Sequence, residues 1–522
     1  MKFTIRRFKN FLSLFFKSKR GALGVIILMV FLIVAIFAPY IAPHDPVNDW
    51  YVAGDFAKPE WYDKLFPNDP QSRNVILTKN PGFSLTSSID FNVIYTSSLI
   101  STYYEPNFGK TEPGCIAIKY KRFGNPTGQT QTVKITKTFN YPYLKPLARF
   151  EVFAQFYIDG STHVELVSAT PEIYQPVLDV PVKISIMITR IENETAETKY
   201  DLQEDFLFPI RNIRVLPQNI ITPTSYWMPA DQSKLSSAYM TGNVNGQLIK
   251  PEQVIFSKPA NYTFTVEITF IDTSSDKESV ETIVYVDDLN FKGLGTAYGL
   301  LGTDKLGRDI FSQIIYGSRI SLFVGLTATF LAVGIGLVLG MIAGYLGGFV
   351  DEILMRFTDA LLVIPQLPLL LVLVAVMGQN IWNLIFVIGV LGWMGFARVV
   401  RSVILSLKER PFVEAAKAVG AGNVHIMLYH MLPNIMALVY VTLASSVPSA
   451  IVSEAALSWL GFFDPNVMSW GRMLHDVQEG LHIDKWWWVV PPGLLISIVA
   501  LSFILIGHAL DEILNPKLRQ RR

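Results

Sequence analysis

Cysteine is nearly missing from this chain. Cys115 is the only one in 522 residues, which excludes a disulfide framework within one chain and a thiolate metal cluster. Charge is thin as well: 17% of residues carry it and the net is +1. A nucleic-acid partner needs a basic face, so that class is excluded. The complete phosphate-binding Gly-Lys-Ser/Thr loop does not occur, so any ATP hydrolysis belongs to another chain. Between residues 44 and 295 we find no His and carboxylate set at metal spacing and no nucleophile motif.

What the chain does have is apolar length. Half its residues are hydrophobic, and they are gathered in runs. Lys2, Arg6, Arg7, Lys9, Lys17, Lys19 and Arg20 precede a run from Gly21 to about Pro43. A signal peptide has the same polarity, but its apolar region is only about 7–15 residues. A run of about twenty spans a hydrocarbon core, so an uncleaved first span over 21–43 is expected. The positive-inside rule places residues 1–20 in the cytoplasm. Further spans are expected near 318–345, 353–377, 381–407, 428–453 and 487–510, six in all. An even number returns the tail, 511–522, to the cytoplasm, in keeping with Lys517, Arg519, Arg521 and Arg522. Trp486-Trp487-Trp488 is read as an interface anchor, and Gly340, Gly344, Gly347 and Gly348 as close helix packing followed by a turn.

Residues 44–295 have another character. Val182, Ile184, Ile186 and Ile188 alternate with mostly polar neighbours, as do Tyr262, Phe264, Val266, Ile268 and Phe270. Period two is what a half-buried strand requires. Phe150–Ile158 and His163–Val167 flank Asp159-Gly160-Ser161, which reads as a hairpin. The expectation is an inserted all-β, sandwich-like extracytoplasmic domain, a binding or docking domain of unknown ligand. Asn193-Glu194-Thr195 and Asn261-Tyr262-Thr263 match glycosylation acceptors, though Tyr262 reads as core strand. An amphipathic lead-in, 296–317, follows.

One cytoplasmic stretch organises the rest. Arg410-Pro411 starts a short helix, and Gly420 and Gly422 stop it. Glu414 stands near its amino end, where the helix dipole favours a carboxylate. Ala415, Ala416 and Ala418 let another surface approach closely. The segment 411–422 therefore reads as a docking element, with Ala421, Leu432 and Pro433 leading into the fifth span. Pro433 removes a backbone hydrogen bond and offers a bend there.

Glu414-Ala415-Ala416, Gly420, Ile426 and Leu432-Pro433 resemble the signature loop of membrane subunits in ATP-driven importers. Leu301-Gly302-Thr303-Asp304-Lys305-Leu306-Gly307-Arg308-Asp309, with Gly317 and Arg319, resembles the segment that opens the permease core of dipeptide, oligopeptide and nickel importers. In particular it is similar to the second of their two membrane subunits. Arg356, Asp359, Pro365, Pro368, Gly392-Trp393, Arg398, Arg401 and Glu454 to Gly461 fit the same pattern. The likeness is close over about 298–518 and loose over 1–45. It implies a mainly α membrane protein with the six helices of the type I ABC importer fold. It further implies a heterodimer with a homologous permease, two ATP-binding subunits carrying ATP and Mg2+, and an extracytoplasmic solute-binding protein, in the cell membrane of a prokaryote. This chain would bind no cofactor and catalyse nothing. The β insertion departs from the family.

Two rival classes are weighed. Asp359 and Glu454 lie in or beside spans, as carboxylates of proton-coupled carriers do, but the family pattern accounts for both positions. A sensor would need a kinase, cyclase or methyl-accepting segment after the last span, and only a dozen tail residues follow. Oligopeptide leads as the solute, with nickel chelates and oligosaccharides as alternatives. His425, His430, His475 and His482 do not make a nickel set by spacing.

Overall fold

The structure is a computed structural model. It describes residues 18–514 apart from 79–80, 84–89, 125–129, 170–171, 194–195, 207–218, 225–226, 229–233, 245–246 and 276. The basic residues before Ser18, the charged tail and Glu194-Thr195 thus lie outside the described residues. The chain forms two compact units, one of Met1–Trp50 with Arg308–Arg522, the other of Tyr51–Gly307.

In the first unit, helix α1 (Lys19–Ile36) is capped by Ser18, whose hydroxyl accepts the Gly21 N–H at 3.4 Å. Then come α2 (Ile310–Leu346), α3 (Gly348–Val363), α4 (Gln366–Met377), α5 (Ile381–Leu391), α6 (Met394–Lys408), α7 (Pro411–Ala418), α8 (Leu432–Trp459), α9 (Trp470–Glu479) and α10 (Trp486–Leu514). Among the described residues five helical stretches are long and apolar enough to cross a membrane, and a bent pair makes up to six.

Three expectations need correction here. The third span is not straight: α3 and α4 meet at 92°. Pro365 forces Ile364 into extended backbone (φ −75°, ψ 128°), and the helix restarts only at Gln366. The helix that carries the second span begins at Ile310 rather than near 318: α2 runs 37 residues, about 55 Å at 1.5 Å per residue, longer than a core of about 30 Å. The lead-in 296–317 is therefore not one element; its first part belongs to the β-rich unit and its last to α2. The Trp triplet divides by burial. Trp487 and Trp488 are buried and only Trp486 is exposed.

The glycines of α2 set its packing. A Cβ at Gly336, Gly340 or Gly344 would come within 3 Å of a backbone carbonyl of Trp393, Ala397 or Arg401. The four-residue spacing presents one bare stripe to that neighbour, so side-chain-free backbones meet.

The second unit holds two six-stranded sheets. One runs Lys234–Ser236, Arg149–Gly160, Ser279–Leu294, Cys115–Phe123, Ile100–Glu105, with Val75–Ile76 also on Ser279–Leu294. The other runs Ala196–Asp201, Val182–Asn193, Ala260–Phe270, Gln131–Tyr141, Asn92–Ile94, with Asn219–Ile220 on Val182–Asn193. All these pairings are antiparallel. The alternation is realised: Ile184, Ile186, Ile188, Tyr262, Phe264, Val266, Ile268 and Phe270 are fully buried and join Ile118, Phe156 and Val284 of the other sheet in one core. The hairpin around Asp159-Gly160-Ser161 does not form. Arg149–Gly160, buried on both faces, enters the middle of its sheet, while Thr162–Ala169 pairs with Glu172–Leu178 in a separate ribbon. Inside the core, Arg122 is ion-paired with Asp272, which also accepts the Tyr120 hydroxyl at 2.8 Å. A buried pair so fully hydrogen-bonded offsets its own desolvation.

Candidate functional site: the α7 helix and the helix-entry motif

Helix α7 buries one side chain fully and exposes most of the rest. Pro411 occupies its first turn after an extended Arg410, the position where a missing N–H costs nothing. Val413 is fully buried in a cluster with Tyr345, Ile404, Ile426, Met431 and Ile435. Glu414, Ala415 and Ala418 are exposed. The carboxyl end closes by a Schellman motif: the Gly420 N–H donates to Lys417 O (2.9 Å) and the Ala421 N–H to Ala416 O (3.0 Å). Gly420 has φ +85°, a conformation that penalises any side chain. The helix thus ends at Ala418, four residues short of the expected 411–422.

The expected contact residues divide. Glu414 and Ala415 face outward, whereas Ala416, Ala421 and Leu432 pack inward on the Val413 cluster. Sequence reasoning missed Val413 as the anchor, and missed Val419, Val424 and Tyr429, which stand 89%, 65% and 69% exposed around the helix. The signal was there: Phe412-Val413 is an apolar pair set between Arg410-Pro411 and Glu414. After Asn423–His425 comes a π-helical turn, Ile426–Met431, leading directly into α8. Pro433 therefore does not stand alone as a bend. Its missing N–H falls where the helix has already widened.

The helix-entry motif is shared between the units. In the β-rich unit, Gly302 (φ +76°) and Gly307 (φ +66°) turn the chain where a Cβ would strike the carbonyls of Ala57 and Ala53. The Thr303 hydroxyl donates to Gly54 O (2.5 Å) and accepts the Ala57 N–H (2.8 Å). Buried Asp304 accepts the Leu306 N–H at 2.8 Å. Its carbonyl takes the Phe56 N–H, so residues 51–58 and 296–307 are laced together. In the helical unit, Asp309 caps α2 by accepting the N–H groups of Phe311 (3.3 Å) and Ser312 (2.9 Å). Arg308 forms a buried ion pair with Asp476 of α9 at 2.9 Å. Gly317 lies under Trp470, whose indole donates to Ile314 O at 3.1 Å. Arg319 is exposed. Within each unit the motif supplies turns, a helix cap and one buried ion pair.

The carboxylates that suggested proton coupling are held locally. Glu454 accepts the hydroxyls of Ser458 (2.8 Å) and Ser469 (2.7 Å), joining α8 to the start of α9. Asp359 is ion-paired with Arg398, and Asp351 with Arg401. His475 Nδ1 lies 2.9 Å from the Trp459 carbonyl. Gly109-Lys110-Thr111 sits in a loop between strands with Tyr104 where a phosphate loop has its first glycine. Asp287 accepts the Lys110 N–H at 2.6 Å, so the triplet is tied to an acid rather than open to an anion.

Five apolar helical stretches, a sharply bent pair and a glycine-tight helix contact mark a multi-pass membrane protein. The model of the binding-protein-dependent transport system inner membrane component matches residues 336–520. That of the N-terminal transmembrane domain of oligopeptide transport permease C matches residues 7–59. The dipeptide transport system permease protein DppC of Bacillus subtilis is 39% identical over 220 residues, covering 42% of this chain and 69% of that protein. The oligopeptide transport system permease protein OppC of the same organism is 39% identical, with 42% and 72% covered. OppC of Haemophilus influenzae is 39% identical over 221 residues, with 42% and 71% covered. A solved chain of the MetNI methionine transporter is 18% identical at a TM-score of 0.32, covering 40% of this chain and 97% of its own, a likeness too slight to carry an argument. The chain belongs to the C-type permease subunits of this transport family. It is a pore-forming permease of an ABC importer, and its homologues are non-catalytic subunits.

Proposed function

We propose that this chain forms half of a peptide-import pore in the cytoplasmic membrane of a prokaryote. It pairs with a homologous permease, two ATP-binding subunits inside and a solute-binding protein outside. It spans the bilayer six times, the bent α3–α4 pair counting as one span, with both termini cytoplasmic. The β-rich unit is then an extracytoplasmic sandwich between the first and second spans. The observation that carries the reading is α7: a capped helix seated through Val413 and Ala416, offering Glu414, Ala415 and Val419 to a partner. Closure of the ATPases on that face would press the helix against the cluster at the foot of α6 and α8 and tilt both. Peptide is favoured as solute by the dipeptide and oligopeptide permeases among the relatives.

The test is Ala415→Arg beside Gly420→Phe, each in the assembled transporter. Both are expected to abolish ATP-driven uptake of tripeptides while leaving membrane levels of the chain unchanged. Uptake at the wild-type rate by Ala415→Arg would remove α7 as the docking element.

A further inference from the structure

A cavity of about 490 Å³ opens within the helical unit, between α2, the α3–α4 bend, the α5–α6 junction and α8. That size is in the range of small-molecule sites. No ionisable side chain lines it among the described residues; its polar groups are Thr329, Gln366, Ser446, Ser449 and Ser453. The three serines stand at i, i+3 and i+7, so one face of α8 presents hydroxyls.

Two details point to a ligand. The Thr329 side chain is 2% exposed, yet its hydroxyl has no hydrogen-bond partner. Thr327 and Thr358 satisfy theirs on their own helices, at Phe323 O (2.5 Å) and Leu354 O (2.7 Å). A buried hydroxyl left open is costly, and at a cavity wall it is satisfied by whatever enters. The second detail is the bend. Ile364 lines the cavity, and the residue four further on is Pro368, which has no N–H to donate to the Ile364 carbonyl. Broken helices at membrane depth are tolerated where they line a water-filled path.

We propose that this cavity is the membrane half-site for the solute, where Thr329 and the Ser446, Ser449 and Ser453 hydroxyls bind the peptide main chain through neutral hydrogen bonds and leave side-chain charge unread. The proposal rests on the peptide-importer reading. Main-chain amides carry one donor and one acceptor per residue whatever the side chain. A lining of hydroxyls, an amide and a spare carbonyl matches that pattern, and a fixed charge would not.

The experiment has two arms, both on the full chain in its assembled transporter. In the first, single cysteines at Ser446, Ser449 and Ser453, and at Phe330 as a control that is 61% exposed but outside the cavity, are treated with a charged methanethiosulfonate. Native Cys115 stays silent, being buried with its thiol pushed up to about 12 by desolvation. Labelling at the three positions and not at Phe330 is expected; equal labelling at all four overturns the cavity as an aqueous route, and no transported solute is needed to see it. In the second arm, ATP-driven uptake of trialanine, Ala-Lys-Ala and Ala-Glu-Ala is compared with wild type. Thr329→Val is expected to lower all three by a similar factor, about five-fold for one net hydrogen bond. Ser449→Asp is expected to depress Ala-Glu-Ala selectively. Equal uptake by wild type and Thr329→Val, or no charge discrimination by Ser449→Asp, overturns the proposal. If the cysteine variants label as expected but the wild type imports none of the three peptides, the peptide reading fails, and the main-chain assignment with it.

Discussion

Asp287 is a fully buried carboxyl on the bulge of the longest strand. Burial pushes it up to about 6, against the pull of the Lys110 and Asp288 N–H groups that it accepts. The unfolded chain holds this proton less tightly, at the ordinary carboxylate value of about 4. The folded state therefore binds more protons between those values. Its contribution to stability is complete below about pH 4 and is lost as pH rises through about 6, at most about 2–3 kcal/mol. Relative to Asp287→Asn, the wild type should lose stability between pH 4 and pH 7. Thermal unfolding of both chains across that range measures it, and a difference that does not change with pH would place the proton elsewhere. Nothing in the sequence marked Asp287, because a carboxyl after Ile283-Val284-Tyr285-Val286 reads equally well as strand end or turn. Tyr262, by contrast, was legible as core from alternation alone, and it is fully buried.

At the scale of elements, what was legible follows from how local the cause is. The start and stop of α7 come from Pro411 and Gly420, each acting on its own φ angle, and both could be read directly. The strand alternation at Val182–Asn193 and Ala260–Phe270 is likewise a property of adjacent residues. The 92° bend at Ile364-Pro365 was missed although the proline was noticed, because proline in an apolar run is compatible with a mild kink or a full break. The partner of Arg149–Gly160 was missed because it lies some 130 residues away, and the turn-like Asp159-Gly160-Ser161 suggested a nearer one. Val413 shows the same limit at the functional site. Its burial depends on Ile426, Met431 and Ile435 from the next element, so it looked like one more loop residue. Val413→Ala deletes two methyl groups from that cluster, a loss of about 1–2 kcal/mol, nearly all of it borne by the seating of α7. On the proposed mechanism uptake falls several-fold while the ATPases continue to turn over. Uptake and ATP hydrolysis measured on the same vesicles decide this, and a proportional fall in both would mean that Val413 serves only folding.

In the whole molecule the two family models match residues 7–59 and 336–520, and hydrogen bonds mark where the stretch between them begins and ends. The family's N-terminal model stops at residue 59. There Lys58 donates its N–H to Thr296 O (2.8 Å) and Lys58 O accepts the Tyr298 N–H (2.8 Å), a single parallel bridge with Ala297. Residues 51–58 and 296–307 therefore lie side by side where the chain leaves for the insertion and returns, and Ser72 and Asn74 of the insertion also bond to them. The insertion proper is the part between residues 60 and 295, whose core is self-contained. Because its two ends already lie side by side, closing them with a few glycine and serine residues costs little loop entropy. A chain shortened in this way should insert into the membrane and keep the Asp309 cap and the Arg308–Asp476 pair, whose partners all lie outside the deleted part. If the insertion is an added domain, ATP-driven uptake of a tripeptide survives the deletion. Full membrane levels with uptake abolished would make the β-rich unit a working part of delivery to the pore, and would direct the search for its ligand to the solute-binding protein.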